Sequence, residues 1–179
     1  MNTILIILLV IGIIIALLLA VAYFSSEEYS IEQEIIVNKP KHQVFEYIRV
    51  LKNSDNFNKW VMMDSAMKKT YTGTDGTVGF VYSWDSENKQ VGKGEQEIIK
   101  IKDGERIDYE LRFYKPFEGK ANAWLNISSL AENQTKVQWV FSGLRNYPMR
   151  IMHIVLNLKK ALGKDLQTSL ISLKNVLEK

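Results

Sequence analysis

A long apolar stripe near the C-terminus constrains the fold of this chain more than any other feature. Over residues 148–178 apolar side chains recur at steps of three and four, at Ile151, Val155, Leu158, Leu162, Leu166, Leu170, Leu173 and Leu177. This spacing predicts one helix with a continuous apolar face, and at 1.5 Å per residue its ~31 residues would span roughly 46 Å. Such a helix needs a large apolar surface to pack against, because burial stabilises it more than helix propensity does.

Short strands rich in aromatic residues precede this helix and provide the predicted surface. They are predicted at residues 68–72, 78–84, 90–102, 106–114, 120–130 and 136–142. Connections as short as those between them join antiparallel neighbours, since parallel strands need a long crossover. A further strand is predicted over Tyr29–Val37, with a helix after Asn38-Lys39-Pro40. The fold class is therefore α+β, with a curved antiparallel sheet of about seven strands wrapped around the long C-terminal helix.

Alternation along the strands predicts which side chains face the helix. The inward rows are Val78, Phe80, Tyr82 and Trp84; Ile107, Tyr109, Leu111 and Phe113; and Val137, Trp139 and Phe141. Ala121 and Ala123 are also predicted to face inward, where small side chains leave room beside bulky neighbours. We therefore predict a hydrophobic ligand pocket, lined by Phe80, Tyr82, Trp84, Tyr109, Leu111, Phe113, Trp139, Phe141, Met152, Val155 and Leu158.

An apolar run without charged residues, from Ile4 to Phe24, precedes the sheet. It is long enough to cross a hydrocarbon layer of ~30 Å as a helix. A typical signal peptide has Lys or Arg before its apolar run, and this chain has neither there. We therefore interpret residues 1–24 as a single-pass transmembrane anchor, 25–29 as a short linker and 30–179 as one folded domain. A cleaved signal and a secreted product remain the alternative, because Ala20-Val21-Ala22 has the small-x-small form of a cleavage site.

Composition excludes several classes of function. The chain has no cysteine and two histidines, so thiolate chemistry and disulfides are excluded and a multi-histidine metal site is not expected. A formal net charge of +3 gives no basic footprint for nucleic acid. We expect no metal, no other cofactor and no nucleic-acid partner. The expected partners are a hydrophobic small molecule or lipid, and the membrane through the N-terminal helix.

Several short segments have a familiar order and spacing. They are Asn38-Lys39-Pro40 with Val44-Phe45, then Trp60, Tyr82-Ser83-Trp84-Asp85, Gly92-Lys93-Gly94, Lys115-Pro116-Phe117-Glu118-Gly119, Val137-Gln138-Trp139 and Phe141-Ser142-Gly143. From about Ser30 to Glu178 the chain thereby resembles the SRPBCC superfamily, the START-like or birch-pollen-allergen-like helix-grip proteins, especially the polyketide cyclase and lipid-transport branch. The resemblance implies a helix-grip fold with a cavity for lipids, polyketides, sterols or other hydrophobic molecules, and it supplies no shared catalytic residues.

The sequence thus predicts a membrane-anchored binding or transfer domain for a hydrophobic small molecule or lipid, held between the sheet and the C-terminal helix. One alternative is a non-catalytic interaction or stress-related domain whose interior is filled by its own aromatic side chains. Another is a cyclase- or hydrolase-type enzyme that would use Tyr82, Asp85 or His153 as acid or base. An enclosed void of several hundred Å³ would separate the first hypothesis from the filled interior.

Overall fold

The order of helices and strands is that of an α+β domain behind an N-terminal helix. The computed structural model describes residues 2–144, 150, 151 and 157–179. The elements are α1 (Thr3–Phe24), β1 (Glu28–Val37), α2 (Lys41–Arg49), a 3-10 helix (Leu51–Asn56), α3 (Lys59–Met62), β2 (Lys68–Thr72), β3 (Val81–Asp85), β4 (Lys93–Lys102), β5 (Arg106–Lys115), β6 (Gly119–Ala131), β7 (Gln134–Leu144) and α4 (Leu158–Leu177).

The seven strands form one antiparallel sheet in the order β1-β7-β6-β5-β4-β3-β2. Strands β2 to β7 are neighbours in sequence order, as their short connections predict. Strand β1 instead pairs with β7 along its whole length, from Glu28 opposite Leu144 to Val37 opposite Thr135. Helix α4 packs across β1 and β7 on one face of the sheet. The predicted helix-grip architecture is therefore confirmed.

The core lies between the inner face of the sheet and helix α4. On the helix, Leu166, Leu170 and Leu173 are fully buried, at the predicted steps of four and three. Gly163 allows the helix to approach β1 closely, because a Cβ there would lie 3.3 Å from Nε2 of Gln33.

The predicted inward rows are confirmed in most positions. The side chains of Ile107, Tyr109, Ala121, Ala123, Val137 and Trp139 are buried. The opposite face carries ion pairs, such as those from the Arg112 guanidinium to Glu95, Glu97 and Glu110. The register of β4 against β5 shifts between Lys93 and Gly94.

The prediction that Val78 faces inward is wrong. The strand begins at Val81, three residues later than predicted, and 59% of the Val78 side chain is exposed. Gly76 and Gly79 on either side of Val78 have φ angles of 77° and 87°. These left-handed conformations form turns and interrupt the strand, so alternation does not extend back past Phe80.

The C-terminal helix is shorter than the apolar stripe predicts. Asn157 has a left-handed conformation with φ 46°, and α4 begins only at Leu158. Left-handed backbone cannot continue a right-handed helix, so a continuous helix from residue 148 is excluded. The 20 residues of α4 span about 30 Å. The predicted pocket residues Met152 and Val155 and the candidate base His153 lie outside the described residues.

Helix α1 is apolar along its length, and most of its side chains are exposed. Within the described part of the chain, it is the one helix whose length and composition would allow it to cross a membrane. Its 22 residues correspond to about 33 Å. Strand β1 begins at Glu28, inside the predicted linker, so three residues separate the end of α1 from the sheet.

A candidate ligand cavity between sheet and helix

A cavity of about 360 Å³ lies between the inner face of the sheet and helices α3 and α4. Seven of the predicted pocket residues line it: Tyr82, Trp84, Leu111, Phe113, Trp139, Phe141 and Leu158. Two others, Phe80 and Tyr109, are buried in the core and are not among the described lining residues. Their side chains pack the interior beside the cavity. Whether the lining residues bind a ligand remains a prediction.

A small side chain at the centre of the sheet leaves the space. Ala123 on β6 lies between Tyr109 on β5 and Phe141 on β7. Because alanine has only a methyl group, it cannot fill the interval between two rings beneath the helix. Two residues earlier on β6, Ala121 lies between Leu111 and Gly143, so the side chains of β6 and β7 are also small at this position. Both alanines face inward as predicted, and Ala123 is the one that lines the cavity.

Helices α3 and α4 form the roof of the cavity. Leu158, Leu162 and Leu166 line it from α4 at successive steps of four residues. The backbone N–H of Lys59 on α3 donates to Oγ of Ser169 at 2.9 Å, and the Lys59 ammonium forms an ion pair with Asp165. These contacts fix α3 against α4, so the two parts of the roof are held together.

Other lining residues were not among the predicted pocket residues. They are Tyr29, Asn58, Trp60, Val61, Met67, Gln90, Val91, Gln96, Lys115, Pro116, Phe117, Ala123, Leu162 and Leu166. Extending the β1 alternation back from Ile31 would have found Tyr29, and extending the helix stripe from Leu158 would have found the two leucines. The α3 residues give no comparable signal, because a helix of four residues has no measurable period.

Two residues that line the cavity each have a buried polar atom without a partner. The hydroxyl of Tyr82 and Nε1 of Trp139 are both buried, and neither has a hydrogen-bond partner among the described residues. By contrast, Nε1 of Trp84 donates to the carbonyl of Val91 at 3.3 Å. A buried donor without an acceptor costs roughly 1–3 kcal/mol.

Burial raises the pKa of the Tyr82 hydroxyl and that of Tyr109 well above the ordinary tyrosine value. The Tyr82 hydroxyl is therefore protonated at neutral pH and is available as a hydrogen-bond donor. It is not a base at that pH, because its pKa is raised rather than lowered.

These raised pKa values predict a loss of stability in alkali. Each buried tyrosine hydroxyl stabilises the folded state fully while the pH is below the pKa of tyrosine in the unfolded chain, which is near 10. This stabilisation is lost as the pH rises towards the pKa of the same hydroxyl in the folded chain. Above pH 10 the expected slope is about 1.4 kcal/mol per pH unit for each tyrosine. Urea titrations of the full chain in detergent at pH 9 and pH 11 should show that Tyr82→Phe loses about 1 kcal/mol less stability than the parent. Substitution of the exposed Tyr23 is the control, and an equal loss in the parent and Tyr82→Phe would contradict the prediction.

Asp85 is placed poorly for chemistry in the cavity. Its carboxylate accepts from Nζ of Lys93 at 2.7 Å at the end of β3, and it is not among the described lining residues. This hydrogen bond and the positive charge of Lys93 lower the Asp85 pKa, so the group is an ionised surface carboxylate. Of the three candidate acids and bases, Tyr82 lines the cavity.

Comparison with known proteins gives structural matches. No family model matches the sequence, and no curated protein matches it significantly. Norcoclaurine synthase from Thalictrum flavum, solved in complex with dopamine and hydroxybenzaldehyde, is 11% identical over 84% of this chain and 87% of that chain, with a TM-score of 0.62. A protein from Chromobacterium violaceum is 15% identical over 84% and 97% of the two chains, with a TM-score of 0.59. Ara h 8.0201 is 12% identical over 84% and 97%, with a TM-score of 0.52.

These similarities concern the fold, because all three identities are low. The fold is the helix-grip fold that the sequence resemblance implied. Nearly the whole length of each of the three structures is matched, so the similarity covers a complete domain. The described strands, α4 and the cavity between them belong to that domain.

Proposed function

We propose that this chain is a membrane-anchored binding or transfer domain for a hydrophobic small molecule or lipid. In this proposal residues 1–24 anchor the chain, residues 25–27 connect the anchor to β1, and the domain that begins with β1 holds the ligand. The observation that carries it is the cavity of about 360 Å³, whose described lining is largely aromatic and aliphatic. A core filled by its own side chains would leave no such space, so the cavity favours ligand binding over the filled-interior alternative.

The volume of the cavity limits the size of the ligand. Pockets for small molecules range over roughly 300–1,000 Å³, so this one lies near the lower limit. A small molecule or a single acyl chain suits it better than a complete lipid with two chains. At ~25 cal/mol per Å², a ligand that hides roughly 300 Å² of apolar surface would gain about 7 kcal/mol before the entropic cost of binding.

The unpartnered donors narrow the class of ligand further. The indole N–H of Trp139 donates only, and the protonated hydroxyl of Tyr82 donates as well as accepts. A ligand with an apolar body and an accepting oxygen, such as a carbonyl, would satisfy donors that the described residues leave unpaired. We therefore propose an apolar ligand that carries at least one such oxygen.

A pair of probes tests this class. Binding of naphthalene and 2-acetylnaphthalene to the full chain in detergent can be measured by the change in tryptophan fluorescence. We expect 2-acetylnaphthalene to bind roughly tenfold more tightly, because an added hydrogen bond to a buried donor is worth about 1–2 kcal/mol. Tyr82→Phe and Trp139→Phe are each expected to reduce this preference and, combined, to abolish it.

Trp84→Phe is the matched control for Trp139→Phe. The Trp84 indole also lines the cavity, but its N–H already donates to Val91. Its replacement should therefore leave the preference for the carbonyl unchanged. If neither probe binds the parent protein, the proposed function is wrong. If both bind equally to the parent, binding stands and the two donors have no part in recognition.

An enzyme of the cyclase type is the second candidate. Tyr82 is the residue that favours it, since its side chain lines the cavity and a positioned acid is a usual part of such chemistry. Among the described residues Tyr82 is the single candidate acid in the lining, because Asp85 is paired with Lys93 outside it. One acid gives little support for a catalytic site. Binding is therefore the primary proposal.

A further inference from the structure

The sheet has one end at which the anchor is attached, which we call the anchor end. Strands β1, β4 and β6 begin at this end, and β3, β5 and β7 finish there. The pairing of their terminal residues shows this: Glu28 lies opposite Leu144, Gly119 lies opposite Phe113, and Lys93 lies opposite both Asp85 and Lys115. Three residues separate α1 from β1, and four Cα–Cα steps of at most ~3.6 Å span about 14 Å. The anchor end therefore lies within a short reach of the end of α1.

A buried arginine joins the domain to α1 directly. Nη1 of Arg150 donates to the carbonyls of Tyr23 and Ser25, each at 3.2 Å, and the guanidinium forms an ion pair with Glu27. Carbonyls at the end of a helix lack partners within the helix and carry partial negative charge, so a cation there is favourable. Ala22 at the same contact is fully buried. The end of α1 is thus packed against the domain.

Five lining residues of the cavity lie at the anchor end: Gln90 and Val91 before β4, Lys115 as the last residue of β5, and Pro116 and Phe117 between β5 and β6. Four of them, Gln90, Lys115, Pro116 and Phe117, are the exposed residues of the described lining, so we place the mouth of the cavity at this end. Leu158 at the start of α4 lines it from the helix side. At the opposite end of the sheet, the last turn of α4 is bonded to the end of β1, where Nζ of Lys174 donates to the carbonyl of Ile36 at 2.6 Å.

Apolar side chains are exposed around this mouth. Phe117 is 56% exposed, Leu144 at the end of β7 is 64% exposed, and Phe24 at the end of α1 is 85% exposed. Single exposed apolar residues are ordinary, but these three share one end of the domain with a helix long enough to cross a membrane. Aromatic residues at such a position favour the interface between hydrocarbon and water.

We propose that the mouth of the cavity faces the surface of the same bilayer that α1 crosses, with Phe117 in the interface. This orientation rests on the proposed function only for its biological purpose. With the mouth at the membrane surface, a ligand could pass between the bilayer and the cavity without crossing bulk water. The occupant of this surface is a lipid bilayer. The short connection after α1 and the Arg150 contacts favour it, because both hold the mouth close to the membrane.

The absence of cysteine from the chain allows a direct test. Phe117→Cys and Leu130→Cys are labelled separately with a nitrobenzoxadiazole dye, and each full chain is reconstituted into phosphatidylcholine vesicles. Leu130 is the matched control because it lies on β6, is 52% exposed, and stands at the opposite end of that strand from Phe117. The eleven residue-to-residue steps from Gly119 to Leu130 correspond to about 36 Å.

The expected result is quenching of the dye at position 117 by lipids with a nitroxide near the headgroup, at least threefold stronger than at position 130. Equal quenching at the two positions, or stronger quenching at 130, would overturn the proposal. In vesicles of the same composition, 2-acetylnaphthalene binding to the parent chain, which keeps Phe117 in the cavity lining, is measured independently. Binding with equal quenching would refute this orientation alone, whereas unequal quenching without binding would support the orientation and refute the proposed function.

Discussion

Replacement of Ala123 by phenylalanine is expected to reduce uptake of 2-acetylnaphthalene by at least tenfold. Ala123 lines the cavity between the rings of Tyr109 and Phe141, so a benzyl group there would occupy the space that a ligand needs. A tenfold loss corresponds to about 1.4 kcal/mol of binding free energy. The melting temperature should be maintained, because the new side chain fills an existing void instead of expanding a packed core.

Ala131→Phe is the matched control for this substitution. Ala131 is exposed at the far end of the same strand, so the same chemical change should leave uptake unaffected. Ala123→Met introduces a narrower side chain than phenylalanine and is expected to weaken uptake by a smaller factor. Undiminished uptake by a folded Ala123→Phe protein would show that the probe binds elsewhere, and would contradict the proposed site.

Replacement of Gly92 by alanine is expected to lower the free energy of unfolding by roughly 3 kcal/mol. Gly92 has φ 66°, a left-handed conformation that costs a residue with a Cβ about 1–2 kcal/mol. A Cβ would also lie 2.1 Å from the carbonyl oxygen of Lys115, so the backbone at the mouth of the cavity must move. Such overpacking costs about 1–3 kcal/mol more. For a domain of this size we expect the melting temperature to fall by roughly 10 °C.

Gly119→Ala provides the comparison, since no atom lies within 4 Å of a Cβ built at that position. Its effect on the free energy of unfolding should be within about 0.5 kcal/mol. Thermal and urea unfolding of both variants, followed by the fluorescence of the four tryptophans, measures the difference. If both variants are equally stable, the close approach of Gly92 to Lys115 does not exist in solution.

Much of the sheet was predictable because alternation and turn sequences are local signals. Tyr82, Trp139 and Ala123 were placed on the inner face by counting in steps of two, and the pairing of β2 to β7 followed from short connections. The small side chain of Ala123 gave the reason for a cavity. The partner of β1 could not be read in this way, because it depends on residues more than 90 positions away.

Departures from prediction occurred where single backbone conformations override a side-chain pattern. The left-handed Asn157 interrupts an apolar stripe that continues unchanged on both sides, and Gly79 ends the alternation that includes Val78. The roof residues Trp60 and Val61 lie on a four-residue helix whose position depends on contacts with α4. The Arg150 contacts with α1 join segments at opposite ends of the sequence, so no local signal indicates them.

The pairing of β1 with β7 has a consequence for how the protein is made on the ribosome. The first strand has no sheet neighbour until a strand more than 90 residues later has been synthesised, and helix α4, which covers both, comes later still. By then α1 has already left the ribosome. Closure of the domain is therefore expected after translation of α4, and it should be slow because its defining contacts are distant in sequence.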